Sequence, residues 1–173
     1  MRVLLGLVLV GILGCGPTAA ERSTQLRAEA KDAIEKGFYA NNDLKDHDTA
    51  ILHFTEAIKI ADQLLESDAP AWSYPIRADA HTGLGLVYKT KGDYDKALTE
   101  YNEAIEISNV TKRYGDLGSA HLGRAGVYQL KAAKASTAEE RARLETLADQ
   151  EYISSRASFL TEQEKRRRES LRN

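Results

Sequence analysis

The sequence is poor in cysteine, proline and aromatic residues. It has one Cys, three Pro and one Trp among 173 residues. A single Cys excludes an internal disulfide and a cysteine-rich metal site. All three prolines precede Ile76, so helices can run uninterrupted through the rest of the chain. The formal net charge is −2, which gives no electrostatic basis for binding nucleic acid.

The sequence also lacks an apolar run that could cross a bilayer. Val3–Leu13 is apolar throughout apart from its glycines. At about eleven residues it is shorter than the roughly 20 that a transmembrane helix needs. Because Arg2 precedes it, the run has the form of the apolar region of a secretory signal peptide, and we predict that residues 1–14 are one.

The four residues that end this run are Ile12-Leu13-Gly14-Cys15. They resemble the lipobox of bacterial lipoproteins, in which the peptide is cut before the Cys and the thiol carries a diacylglycerol. The resemblance implies that Cys15 is lipidated and that residues 15–20 tether the following domain to the membrane surface. In enterobacterial lipoproteins an Asp directly after the lipidated Cys favours retention in the inner membrane. This sequence has Gly16 there, so by similarity the outer membrane is favoured. The alternative is an ordinary signal peptide with an incidental Cys.

A helix, a turn and a second helix can be recognised in Ala78–Ile107. A large, a small and an aromatic residue share one side of the first helix, a Gly-Asp pair ends it, and small and aromatic residues recur at helical spacing on the second. These residues are Leu84, Gly85, Tyr88, Gly92, Asp93, Ala97, Tyr101 and Ala104. The pattern resembles the tetratricopeptide repeat, W-x-x-L-G-x-x-Y, then A-x-x-x-F, then P. His81 and Asn109 stand where that family usually has Trp and Pro.

Both halves of this motif recur elsewhere in the chain. Asp46–Ile60 repeats the pattern of Asp93–Ile107, and Tyr114–Lys131 repeats that of Tyr74–Lys91. The spacings exceed the roughly 34 residues usual in the family, an excess that longer helices accommodate. The resemblance implies an all-α fold, a short right-handed superhelix of about three tetratricopeptide-like helix pairs with a long C-terminal helix.

We predict repeat units over about 21–67, 69–109 and 111–160, followed by a charged helix end over 161–173. In the third unit, Ala132–Ser136 reads as a loop or a frayed helix end, and Ser136 or Thr137 can cap the next helix. On that helix we expect Ala148 and Tyr152 to take the places that Ala97 and Tyr101 hold in the second unit.

No pattern of catalytic residues is present. The sequence has no nucleophile elbow, phosphate-binding loop or H-E-x-x-H motif. His81 and His121 occupy equivalent positions on two first helices, where a packing role outweighs that of a ligand pair. We therefore predict no enzymatic activity, no metal and no cofactor.

The resemblance also implies a concave groove lined by the first helix of each pair. Aligned on the central motif, the groove positions are Asp32, Glu35, Tyr39, Asn42 and Asp43 in the first unit, Asp79, Thr82, Leu86, Lys89 and Thr90 in the second, and Ser119, Leu122, Gly126, Gln129 and Leu130 in the third. The first third is acidic in sequence, which favours a basic or apolar partner segment over an acidic C-terminus.

The predicted function is that of a membrane-anchored adaptor in the bacterial periplasm that binds another envelope protein or peptide segment. The chain is similar in plan to repeat lipoproteins that assist the assembly of pili or outer-membrane barrels. One alternative is a structural module that self-associates through its C-terminal helix, and another is a carrier of a small or apolar ligand. Lys165–Arg168 reads as a solvated helix end, with contact to anionic lipid or an acidic partner as the alternative.

Overall fold

The computed structural model describes residues 17–67 and 69–172. Within those ranges the chain forms helices and no strand, which confirms the predicted all-α fold. The elements are α1 (Ala19–Tyr39), a π-helical turn (Ala40–Leu44), α2 (His47–Glu66), α3 (Pro70–Lys91), α4 (Tyr94–Val110), α5 (Tyr114–Lys134) and α6 (Ala138–Ser170). The predicted signal segment and Cys15 lie outside the described residues. None of the described helices combines the length and the apolar character needed to cross a membrane.

Side-chain caps fix where several helices begin. Thr18 and Glu21 form a capping box, so α1 starts at Ala19 rather than at the predicted Glu21. The Asp46 carboxylate accepts a hydrogen bond from the backbone N–H of Thr49 at 3.1 Å and starts α2. Thr137 caps α6 in the same way, as the sequence predicted.

A π-helical turn follows the end of the first helix. The run Asn41-Asn42-Asp43 is typical of a helix stop, and α1 ends just before it at Tyr39, but the chain continues through the π-helical turn and reverses only at Lys45, whose φ is 56°. The Asn41 side chain is buried there, and its Oδ1 lies 3.0 Å from Nδ1 of His47. The turn persists because its polar residue finds a partner at the start of α2.

The end of α5 falls inside the predicted segment. Ala132–Ser136 was predicted to be a loop or a frayed helix end, and α5 continues to Lys134, which agrees with the second alternative. Ala132 is buried, so packing holds a turn that the sequence pattern left open.

The helices form three stacked pairs. α1 packs against α2, α3 against α4 and α5 against α6, while α2 and α4 join one pair to the next. α1 also adjoins α3, and α3 adjoins α5. The three first helices therefore lie side by side and form one face of the stack.

A buried aromatic ring joins the first pair to the second. Phe54 of α2 is fully buried between α1 and α3. A Cβ added at Gly37 would stand 2.9 Å from the ring, and one at Gly83 would stand 2.3 Å from it. Both distances are shorter than carbon atoms tolerate, so the ring fits only because two glycines flank it. We call this arrangement a double glycine slot.

Tyr101 of α4 occupies a second double glycine slot between α3 and α5. A Cβ at Gly85 would lie 2.8 Å from its ring, and one at Gly123 would lie 2.3 Å from it. The ring is only 1% exposed. The same device thus joins the second pair to the third.

The last pair is built differently. Ala148 is buried as predicted, but Tyr152 is only half-buried and its hydroxyl donates to Oε1 of Gln129 at 2.9 Å, so the expected match with Tyr101 is wrong. Phe159 instead packs on Gly118 and remains 37% exposed. The reason is geometric: among the described residues no helix follows α6 to close the second side of a slot.

Candidate functional site

The predicted groove residues belong to α1, α3 and α5, the helices that form one face of the stack, and to the π-helical turn, and none of them is fully buried. Asp79, Thr82, Leu86, Lys89 and Gly126 are half-buried, and the remaining positions are exposed. The exposed set comprises Asp32, Glu35, Tyr39, Asn42, Asp43, Thr90, Ser119, Leu122, Gln129 and Leu130. This face is therefore accessible over its whole length.

A pocket of about 500 Å³ opens on this face between α1 and α3. We call it the α1/α3 pocket. Its apolar wall is formed by Ile34, Phe38, Ala71, Trp72, Pro75 and Ile76. Its polar groups are Arg27, Lys31, Glu35, Asp79 and Arg113. Of these residues the sequence prediction included only Glu35 and Asp79.

Trp72 is the most informative residue that the sequence reasoning missed. It lies in the first turn of α3, before the repeat motif begins, and 43% of it is exposed. The guanidinium carbon of Arg27 stands 3.5 Å from its ring centroid, a cation–π contact. The only Trp of the sequence, placed next to a helix-starting proline, was the signal that could have drawn attention to it.

The first third of the groove is less acidic than its sequence suggests. The Asp32 carboxylate lies 2.6 Å from Nζ of Lys36, and the Glu35 carboxylate lies 3.6 Å from Nζ of Lys31. Both pairs join residues one helical turn apart on α1. The surface there carries mixed charge, which corrects the expectation of an acidic stretch.

Asp79 has the most unusual environment of the groove residues. Burial raises the pKa of its carboxyl group to about 6, and the negative charge of Asp116 adds to the rise, while Arg113 opposes it. Arg113 itself bonds to Asp116. Asp79 accepts no hydrogen bond from any residue that the structure describes.

Farther along the groove, Lys89 lies where α3 faces α5. A Cβ at Gly126 would stand 3.6 Å from its Nζ. Burial lowers the pKa of Lys89. The small residue at position 126 therefore leaves room for a cation in the middle of the face.

The two histidines on first helices are paired with glutamates. Nδ1 of His81 lies 2.8 Å from Oε2 of Glu100, and Nδ1 of His121 lies 2.7 Å from Oε2 of Glu151. Arg124 adds a bond to Glu151 at 2.5 Å. The histidines pack between helices as predicted, but they also tie the two helices of a pair together, which the sequence reasoning missed.

The electrostatics of the second pairing are clear. Burial alone would raise the pKa of Glu151, but the hydrogen bonds and charges of Arg124 and His121 outweigh it and hold the pKa below its ordinary value. No group of three or more His, Cys, Asp or Glu in residues 17–67 and 69–172 is placed to hold a metal ion. These pairings are thus interhelical ties within the stack.

Comparison with known proteins agrees with this architecture. Residues 37–109 match the model of the tetratricopeptide repeat family. The match covers less than half of the chain, and this segment is similar to tetratricopeptide repeats. It runs from Gly37 in α1 to the end of α4 and contains both buried aromatic rings. Neither a curated protein nor a solved structure matched the chain. Tetratricopeptide repeats form a scaffold class that generally mediates contact between proteins, and such stacks bind through their extended concave faces.

Proposed function

We propose that this protein is a lipid-anchored adaptor in the bacterial periplasm that binds a segment of another envelope protein along the face of α1, α3 and α5. The observation that carries the proposal is the α1/α3 pocket, an open and largely apolar site on that face. Its volume of about 500 Å³ falls within the roughly 300–1,000 Å³ typical of binding pockets. In this function the protein has no catalytic role.

The composition of the pocket supports binding rather than mere packing. Trp72 keeps nearly half of its surface in solvent although the pocket beside it is apolar. Exposed aromatic and arginine side chains are typical of the residues that dominate protein interfaces. Trp72 and Arg27 provide both and are already stacked on each other.

The membrane anchor is proposed from the lipobox-like sequence at Cys15. Three residues separate Cys15 from the start of α1 at Ala19, so four residue-to-residue steps join them. At about 3.5 Å per residue they reach at most about 14 Å. A lipid on Cys15 would therefore hold the stack close to the membrane, where an outer-membrane adaptor works in assembly, pilus or secretion complexes.

Site-specific photocrosslinking tests the adaptor function. A photoreactive residue at Ala71, exposed in the pocket, is compared with one at Glu103, exposed on α4 outside it. In bacteria that express the full chain we expect position 71 to give a discrete crosslinked product that position 103 lacks and that Trp72→Ala removes. Identical products at both positions, or no product at position 71, would contradict the proposal.

Lipidation is tested separately with Cys15→Ala. We expect the wild-type chain to incorporate labelled palmitate and to fractionate with the outer membrane, and the variant to do neither. Label that persists in the variant would show that the lipid is attached elsewhere.

A second candidate function is the transport of a small apolar ligand, which the same apolar wall favours. Native mass spectrometry of the purified chain tests it. A reproducible added mass that Trp72→Ala abolishes would support a carrier, and a clean protein mass would count against one.

A third candidate is self-association through α6. Ile153 and Leu160 are 70% and 51% exposed and stand two helical turns apart on one side of the helix. Light scattering at increasing concentration distinguishes the cases. A monomer that persists in both the wild type and Leu160→Glu excludes self-association.

A further inference from the structure

We propose that the α1/α3 pocket holds an arginine or lysine side chain of the partner segment, with its positive charge at Asp79. The inference rests on the proposed function, because it names the chemistry of the residue that the adaptor grips. It departs from the sequence reasoning, which placed the acidic character of the groove in the first unit.

Three cations already line the pocket. Arg27 is stacked on Trp72, and Lys31 lies beside Glu35. The third cation, Arg113, directly precedes α5 and is bonded to Asp116 in the first turn of that helix. Each positive charge of the pocket thus has a partner on the protein.

The carboxylate of Asp79 differs from these three paired cations. It lines the pocket, it is half-buried, and none of the described residues gives it a hydrogen bond. A carboxylate withdrawn from water without a compensating partner is unfavourable. A cation that enters from outside would form a charge-assisted hydrogen bond at a group whose desolvation the fold has already imposed.

The walls of the pocket suit the rest of such a side chain. Arginine and lysine carry apolar stems that pack on hydrophobic surface while the charged head stays in a polar place. Ile34, Phe38 and Ile76 provide that surface next to Asp79. An acidic side chain would instead have to displace Glu35 or Asp116 from its existing partner.

The protein contains its own reporter for this test. Trp72 lines the pocket and is the only Trp in the sequence, so intrinsic fluorescence reports occupancy directly. The probes are three blocked peptides, acetyl-Leu-X-Leu-amide, in which X is arginine, its neutral isostere citrulline, or glutamate. They are titrated into the full chain in detergent at neutral pH.

We expect the arginine peptide to bind at least about tenfold more tightly than the citrulline peptide, since a charged hydrogen bond is lost in the latter. The glutamate peptide should bind most weakly. Asp79→Asn should reduce the arginine preference to within about twofold, because the countercharge is gone. Asp62→Asn is the matched control: Asp62 is exposed on α2, its carboxylate already lies 3.6 Å from Arg77 and it does not line the pocket, so the preference should persist.

Four outcomes would overturn the inference: equal binding of the arginine and citrulline peptides, tighter binding of the glutamate peptide, no saturable change in fluorescence with any peptide, or an undiminished preference in Asp79→Asn. Photocrosslinking at position 71 separates this failure from failure of the adaptor function. A partner captured equally by the wild type and Asp79→Asn would remove the inference and leave the adaptor intact. If the wild type captures no partner at position 71, both the inference about Asp79 and the adaptor function are contradicted.

Discussion

The inner junctions of the stack and its C-terminal pair solve the same packing problem in different ways. In the inner junctions an aromatic ring enters between two glycines that belong to different helix pairs, as Phe54 and Tyr101 do. In the last pair Phe159 meets one glycine, Gly118, and its other side stays open. The aromatic position of the repeat is fully buried only when a following helix provides the second glycine.

The C-terminal pair compensates with polar contacts. The Ser155 hydroxyl donates to the carbonyl oxygen of Gly118 at 2.8 Å, and Glu151 accepts hydrogen bonds from His121 and Arg124. Such bonds need exact geometry but less apolar area than a buried ring. The difference teaches that the inner junctions are closed by aromatic rings shared between pairs, whereas the last pair adds bonds from Ser155 and Arg124 to a His–Glu pairing of the kind that the second pair also has.

The largest expected effect contrasts the two kinds of aromatic position. Phe54→Ala should lower the free energy of unfolding by about 3–5 kcal/mol, because a fully buried ring leaves a cavity. Phe159→Ala should cost only about 1 kcal/mol, because more than a third of this residue is already in solvent. Urea denaturation followed by circular dichroism measures both. Equal costs would mean that the two positions are not different in kind.

A smaller effect tests whether the double glycine slot itself is required. Gly123→Ala should destabilise the protein by about 1–3 kcal/mol, because the new Cβ meets the buried ring of Tyr101. Gly126→Ala lies three residues along the same helix, and its new Cβ would contact only the end of the Lys89 side chain. This variant should stabilise the protein by about 0.5–1 kcal/mol. The same denaturation experiment applies, and a stabilising Gly123→Ala would contradict the packing argument.

The carboxylate of Glu151 in the last helix pair should contribute more to the free energy of unfolding than that of Glu100 in the second pair. Glu151→Gln should cost about 1–3 kcal/mol at pH 7, since Arg124 loses a charged acceptor. Glu100→Gln, which affects His81 alone, should cost less.

The pKa of Glu151 is lowered in the fold, so its contribution is present above the ordinary carboxyl pKa and disappears as the pH falls through and below it. The difference in free energy of unfolding between the wild type and Glu151→Gln should therefore become steadily smaller as the pH is lowered. A gap that does not change with pH would show that the ionised carboxylate is not responsible.

The smallest change in stability is expected at Asp79, whose pKa is raised in the fold whereas that of Glu151 is lowered. Its pKa is raised from 3.8 to about 6 in the folded state. Between these two pH values the folded state therefore keeps a proton on Asp79 that the unfolded state has already lost. Stability therefore falls as the pH rises through this window. Asp79→Asn should stabilise the protein by about 1–2 kcal/mol at pH 7.5, a value reduced for the partial solvation of the group. Near pH 3.5 the gain should vanish, and thermal unfolding at both pH values measures it.

Much of the fold was predictable because local rules and the repeat pattern agree. Thr137 was one of two predicted caps for the start of α6, and the Gly-Asp pair at Gly92 was predicted to end α3. The π-helical turn was not predictable, because it depends on the Asn41 side chain meeting His47. Tyr152 was misjudged because its burial depends on which helices pack around α6, and a pattern along the chain does not show that.

The candidate site was less predictable than the fold. Counting along the repeat selected Glu35 and Asp79, which both line the α1/α3 pocket, since helical periodicity determines which side of a helix a residue occupies. It could not find Arg27, Trp72 or Arg113, which lie outside the motif and come together only through packing of separate helices. Sequence charge was also misleading, because lysines one turn away offset the carboxylates of α1.

The wedging of each inner ring between helices of two pairs has a consequence for how the molecule opens. Neither of the first two pairs can unfold without exposing a ring that its neighbour also covers, so the amides around Phe54 and Tyr101 should exchange with deuterium together and slowly. Beyond Phe159, α6 has no such ring and its side chains are largely in water. Exchange should therefore begin at the far end of α6 and slow abruptly near Ser155, where the last buried hydrogen bond to α5 is made.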